Sequence, residues 1–512
     1  MTKLSRRTFL SAALASTAPL ALGTLTTPAL TGPAGATGGP AFSHQAIVDE
    51  ARALAQNSFV ARGTVPEDWR NLTYDQYQKR WFRSKDALWS KTPRSYNVDF
   101  FLPGLYFPRP IEINTVVDGL SQKVAFDLSL FDKTDMAPDL SVDESLGYSG
   151  FRLRTALREP DKKHEFCVFQ GASYFRAIGA IHNYGLSARG LAVRTADPAG
   201  EEFPEFTKFW LEAPVPGQKN IIVHALMDSP SVTGAYRFDI HPGQNTVMDV
   251  EATLFAREEL DNIGLGPLTS MFLYDQTNRN RFDDFRPAVH DSDGLLVVNG
   301  NGETLWRPLA NPKKLQISSF VDDNPKGFGL MQRPRLLSDY EDFEAHYHKR
   351  PSLWVEPKGN WGKGSVTLVE IPADKEIYDN IVAYWRPKTA YAAGSELTFA
   401  YRLTWGEDPD LGLPRVTNSA SGARIFGDPG RIMTIDYGPH PLFAEGVGDL
   451  DIHISSPHVA TSEGVLQKNS ETGGLRLAFS FDPAERDHVE LRAELRKNGE
   501  PASEVWLYRW TK

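Results

Sequence analysis

Arg281-Phe-Asp-Asp-Phe-Arg-Pro-Ala-Val-His-Asp-Ser-Asp-Gly294 packs four carboxylates and a histidine into fourteen residues. Like charges this close repel. A fold keeps them together only when they are solvated, paired with Arg281 and Arg286, bound to a metal, or tuned for proton transfer. On composition alone a salt-bridged loop outweighs a catalytic one. Acid–base chemistry would also need a second acid from elsewhere in the chain. The best candidate is Asp379, in Ile371-Pro-Ala-Asp-Lys-Glu-Ile-Tyr-Asp-Asn-Ile-Val-Ala-Tyr-Trp385, because Asp-Asn stands directly before an apolar strand that begins at Ile381. A carboxylate at a strand mouth beside Tyr378 and Tyr384 would be partly desolvated and kept protonated as a general acid. A turn residue capping backbone amides explains Asp379 equally well.

Other site patterns fit poorly. Asp291-Ser-Asp-Gly294 opens like a calcium loop, but its glycine comes at the fourth position and no later acid has the required spacing. The histidines form no H-E-x-x-H or Cys/His cluster, so no metal and no cofactor is expected. Asn324-Pro-Lys-Gly-Phe-Gly329 lacks phosphate-loop spacing, and Gly185-Leu-Ser-Ala-Arg-Gly190 is one residue too long for a nucleophile elbow.

The elements that must position the carboxylates are mostly strands. Period-two alternation recurs at Asn220–Leu226, Thr246–Phe255 and Ser365–Ile371, while helices are expected only over Ser43–Asn57, capped by Ser43, and Tyr74–Phe82. The expected class is mainly all-β, a large antiparallel β-sandwich. Pro and small residues in Trp385–Ser395 mark a break. Beyond it, alternation at Leu397–Trp405 and Leu475–Phe481, with an Asn498-Gly499 hairpin turn, fits a small immunoglobulin-like β-sandwich. The expected division is 1–36 signal, 37–387 large sandwich, 388–394 linker and 395–512 small sandwich.

Ser5-Arg6-Arg7-Thr8-Phe9-Leu10, an apolar run to about Leu25 and Ala34-Gly35-Ala36 read as a twin-arginine export signal, which places the mature chain in the periplasm. Export of a folded chain suits a protein whose one cysteine, Cys167, cannot form an internal disulfide. Losing Lys3, Arg6 and Arg7 and no acid moves the net charge from −10 to −13, which gives no electrostatic reason to bind nucleic acid. The 57 aromatic residues, though mostly core, supply the flat faces that a neutral sugar polymer stacks on. Glycoside cleavage would employ two carboxylates, one protonating the leaving oxygen and one attacking or activating water.

Several longer stretches are more specific: Gly171-Ala-Ser-Tyr-Phe-Arg-Ala177, Tyr184–Gly190, Glu202-Phe-Pro-Glu-Phe-Thr207, Asp228–Phe238, Leu268–Phe272, His290-Asp-Ser-Asp-Gly294, Trp306–Leu309, Asn324–Leu330, Arg350–Pro357, Trp361–Gly364 and Asp379-Asn-Ile381. With these the chain resembles the periplasmic glucan biosynthesis family, OpgG/OpgD (MdoG/MdoD), across essentially the whole mature sequence. The twin-arginine signal is similar to that of the OpgD branch.

The resemblance implies a galactose-mutarotase-like sandwich followed by an immunoglobulin-like one, and β-1,2-glucan as substrate. It implies an inverting β-1,2-glucanase or a related transglycosylase, with Asp379 as general acid and Asp291 as general base acting through a water or hydroxyl relay. Such a relay lets the carboxylates stand further apart than the roughly 6.5–9.5 Å usual for inverting enzymes. Tyr347, Arg350, Trp354 and Trp361 are candidates to line a glucan cleft, and Glu376 to hold the acid or a sugar hydroxyl; for each, packing explains the residue as well. Tyr174 and Arg176 carry a family motif without a local sign of cleft or core. Arg286 and Arg307 are expected to neutralise the acidic block. The expected partners are β-1,2-glucan, the inner-membrane glucan synthase and, as an open option, a second copy in a homodimer. The competing class is a non-catalytic glucan-binding or scaffold protein that assists that synthase.

Overall fold

The computed structural model describes residues 39–427 and 429–512, so the export segment and its cleavage motif lie outside the described residues. Strands dominate, and no described helix is long and apolar enough to cross a membrane. The helix His44–Ala55 forms as expected, with the Ser43 hydroxyl accepting from the Ala46 amide at 3.2 Å. The second expected helix stops after one turn, Tyr74–Tyr77, despite a Thr73/Gln76 capping box. The chain then enters the strand Arg80–Phe82, which pairs with Phe131–Lys133; here tertiary pairing overrides local helix propensity.

Two large sheets face each other. One has ten strands and runs from Asn97–Phe101 through Gly150–Glu159, Lys162–Gln170, Tyr174–Ala177, Ser187–Arg189, Ile263–Ser270, Ile381–Pro387 and Lys363–Glu370 to Gln316–Asp323. The other has fifteen and includes Glu205–Glu212, Ile221–Asp228, Val232–His241 and Thr246–Ala256. Alternating residues of both inner faces build one core. Its centre is aromatic: Phe169 stacks on Phe175 at 5.4 Å and meets Phe209 and Phe238 edge-on at 5.6 and 5.3 Å. In Tyr174–Ala177, Phe175 and Ala177 enter this core, so period two turns Tyr174 and Arg176 to the sheet's outer face.

The expected break after Pro387 does not separate two sandwiches. Glu396–Gly406, assigned above to the small domain, is a central strand of the fifteen-stranded sheet, with Thr246–Ala256 on one side and Ser352–Lys358 on the other. Its alternation is real, but alternation reports a half-buried face and not which sheet supplies it. The four-stranded sheet of Val416–Ala423, Arg431–Tyr437, Leu475–Phe481 and Val465–Lys468 begins only afterwards. It packs on His488–Lys497 and Val505–Thr511 in a second core that contains Leu477, Phe479, Leu491 and Trp506. Those last two strands extend the long sheet itself, since Val505–Thr511 pairs in parallel with Thr304–Pro308. The Asn498-Gly499 turn forms as read, with φ of 53° and 84° closing the Lys497↔Glu500 pair.

A buried arginine locks this junction. Arg333 meets both Glu504 oxygens at 2.7 and 2.6 Å, reaches Asp408 at 3.0 Å and lies 3.5 Å from the centre of the Trp306 ring. Two carboxylates and an aromatic face compensate its charge, as burial requires.

Candidate active site

Asp291 is 1% exposed and follows the short strand Val289–His290. Its amide donates to the Met271 carbonyl at 2.9 Å. One residue on, Phe272 exchanges two hydrogen bonds with the Asn380 side chain, each 2.9 Å long, and Asn380 also donates to the Ile371 carbonyl. Asn380 immediately follows Asp379. The pair Met271–Phe272 therefore carries Asp291 on one residue and the Asp379 mouth on the next. The Ser270 and Ser292 hydroxyls reinforce it at 2.7 Å.

A second arm joins the same carboxylates through charge. Arg350 Nε stands 3.6 Å from Asp291 Oδ1, and Arg350 Nη2 donates to the Ala345 carbonyl at 2.7 Å. The Ala345 amide donates to Asp342 at 2.6 Å, and Asp342 accepts from Arg286 at 2.6 Å. Arg286 also holds Glu376 at 2.7 Å, three residues before Asp379. Asp379 Oδ2 in turn lies 3.7 Å from Arg176 Nη2 on the outer face of the ten-stranded sheet. Both arms connect the segments that carry the candidate acid and base.

The acidic block thus separates into roles. Asp284 pairs with Arg286 at 2.8 Å, and that partner holds its carboxyl down to about 2. Burial opposes the Arg286 charge, yet Asp284, Glu376 and Asp342 outweigh it and raise the guanidinium further. Burial, then Asp275, pushes the Asp293 carboxyl well above its ordinary range. Burial also lowers His290 to about 4, so the ring is neutral and donates its Nδ1–H to Gln332 Oε1 at 2.9 Å. Gln332 Nε2 returns bonds to the carbonyls of His290 and Tyr347. His290 is therefore a positioning residue for the turn that bears Asp291.

Of the residues expected to line a cleft, Arg350, Tyr347 and Glu376 lie in this framework. Tyr347 is 2% exposed and packs on Tyr340 at 5.8 Å. The two tryptophans do not join them. Trp361 stands edge-on to Phe399 and Tyr401 in the main core and donates to the Ala400 carbonyl at 3.2 Å. Trp354 belongs to the second core, pressed so close to Gly327 that a Cβ there would lie 2.1 Å from the indole. Both rings are spent on packing. Arg307 pairs with buried Glu370 at 3.3 Å and not with the acidic block. The fold covers Asp379 in part, leaving its side chain 27% exposed. Arg176, Asn380 and Asp342 were not assigned from sequence. The Asp379-Asn380 pair offered a local sign for Asn380; Asp342 offered none.

The profile of the family described as "Periplasmic glucan biosynthesis protein, MdoG" matches residues 42–510. The chain belongs to this family. Relatives include the Glucans biosynthesis protein G of Vibrio cholerae, 48% identical over 480 residues, covering 92% of this chain and 87% of that protein. The protein of the same name from Shewanella frigidimarina is 48% identical, covering 92% of this chain and 85% of its own. These relatives carry the G designation, whereas the OpgD-branch expectation rested on the export segment. A solved GH36 alpha-galactosidase AgaA from Geobacillus stearothermophilus aligns with a TM-score of 0.25 and 8% identity, covering 64% of this chain and 41% of that one, too faint a likeness to bear on either fold or chemistry. Membership of a periplasmic glucan biosynthesis family fixes the broad role.

Proposed function

We propose that this family member is an inverting β-1,2-glucan hydrolase or transglycosylase of the periplasm, exported by the twin-arginine route, with Asp379 as general acid and Asp291 as general base. The observation that carries the reading is the double linkage of the two carboxylates, through Met271–Phe272 and through Arg350, Asp342, Arg286 and Glu376. Asp379 gives its proton to the glycosidic oxygen as the C1–O bond breaks. A water, or the hydroxyl of a second sugar, attacks C1 from the opposite face, and its proton passes through an intervening hydroxyl or water to Asp291. The cycle ends with Asp379 ionised and Asp291 protonated, and solvent restores both. Arg350 supplies the compensating charge that a buried carboxylate requires. A glucan lying across the mouth supplies the desolvation that the fold leaves undone at Asp379.

Purified protein incubated with linear β-1,2-glucan gives shorter chains if water is the acceptor, or a new linkage or ring if a sugar is. Unchanged glucan, with the wild type indistinguishable from Asp379→Asn by chromatography and NMR, overturns the enzymatic reading. It would leave a glucan-binding protein that assists the membrane synthase.

A further inference from the structure

Where the strand Tyr174–Ala177 begins lies a cavity of about 250 Å³ that the mechanism above does not use, lined in part by the core rings Phe169, Phe206 and Phe209. Tyr174 lines it and sits two positions before Arg176, the partner of Asp379, on one face of Tyr174–Ala177. Two residues along a strand span about 7 Å, which sets the Tyr174 wall of the cavity about that far along the strand from the residue that meets the acid. Its walls are aromatic. Tyr106, Phe107, Tyr174 and Phe203 contribute rings, and Phe203 is 48% exposed.

The cavity is held open by construction. Arg189 is buried and fixed by the Thr269 hydroxyl at 2.8 Å and by Glu201 at 2.6 Å. Its guanidinium lies 4.8 Å from the Tyr174 ring and 5.6 Å from the Phe203 ring, setting both. Gly171, at φ 82°, lets Phe107 approach where a Cβ would come within 2.8 Å of the ring. At the rim Glu205 clamps Arg62 at 2.7 Å and Arg109 at 3.0 Å, and Gln170 donates to Ser149 at 3.0 Å. Fixed donors and acceptors around flat apolar faces match a neutral polyol ring. A volume below the roughly 300–1,000 Å³ of drug-sized sites takes one ring and not a chain.

The geometry points to this cavity as a glucosyl subsite, which seats one sugar unit of a β-1,2-glucan whose scissile bond lies at Asp379. The inference rests on the glucan reading above. It is tested in the Asp379→Asn protein by titration calorimetry with linear β-1,2-gluco-oligosaccharides of increasing length. Affinity should step up once a chain is long enough to reach the cavity. Phe203→Leu should remove that step, about tenfold, while short oligosaccharides bind as before, and Phe203→Tyr should restore it. Phe203 is half exposed, so neither change opens the core. If Phe203→Leu binds every length as tightly as its parent, or weakens all lengths equally, the subsite is wrong and the glucan reading stands. If the parent binds no oligosaccharide of any length, the glucan reading falls and the subsite falls with it.

Discussion

Asp291 is buried behind a strand bridge, with its amide on the Met271 carbonyl and Arg350 at its side, whereas Asp379 rides a loop, 27% exposed, with Arg176 at 3.7 Å. The two therefore face different costs. A buried carboxylate has to be compensated by the fold before any substrate arrives. An exposed one costs little until a ligand covers it. This difference suits the proposed roles: the base keeps one fixed position behind a relay, and the acid waits at an open mouth for the bond that it protonates.

The contrast is broken most directly by removing each carboxyl in turn. Asp291→Asn and Asp379→Asn should each lower turnover of β-1,2-glucan by at least about 10³-fold, within the range of lost acid–base catalysis. Their stabilities should part. Asp291→Asn leaves the Arg350 charge facing an amide in a buried site and should cost about 3 kcal/mol in urea unfolding, while Asp379→Asn should cost well under 1 kcal/mol. Equal stabilities would mean that burial does not separate the two.

The loop side can be loosened without touching either carboxyl. Arg286→Ala releases Glu376 and Asp342 together. It should speed amide hydrogen exchange across residues 371–380 and cut turnover about tenfold to a hundredfold, with unfolding changed less than by Asp291→Asn. Unchanged exchange in that segment would show that Asn380, bonded in both directions to Phe272, holds the mouth alone.

The same contrast explains what was readable in the sequence. Alternation revealed the strands because it follows from one face being buried. Asp379 stood out because it directly precedes the apolar Ile381 strand, and the Asn498-Gly499 turn because few residues adopt positive φ in succession. The sheet to which Glu396–Gly406 belongs was hidden, since its partners at Thr246–Ala256 and Ser352–Lys358 are distant in sequence and no local rule names them. Trp354 and Trp361 looked like sugar platforms for a related reason: an aromatic residue serves a core or a cleft equally well until its neighbours are known. Asp342 was hidden because its role lies in the contact with Arg286, fifty-six positions away. Local pattern brought Asp379 forward only as a candidate that a turn residue explained equally well, while the framework behind Asp291 consists of contacts that only the folded chain brings together.

A third carboxylate sharpens the comparison at smaller scale. Asp275 is buried like Asp291, but it is held by the hydroxyl and amide of Thr277, at 2.5 and 2.7 Å, in place of a guanidinium. Burial raises it to about 6 despite those bonds. Because this lies above the roughly 3.9 of an unfolded aspartate, the folded chain binds more protons than the unfolded one between about pH 4 and 6. The contribution of Asp275 to stability is accordingly full below pH 4 and is lost as the pH rises through 6. Asp275→Asn removes the charge but must bury an amide NH2, so its net gain should be about 1 kcal/mol at pH 8 and should vanish or reverse at pH 4. Urea unfolding of wild type and variant at both pH values measures that difference. A difference independent of pH would show that the folded carboxyl titrates as it does in the unfolded chain, its Thr277 bonds offsetting the cost of burial.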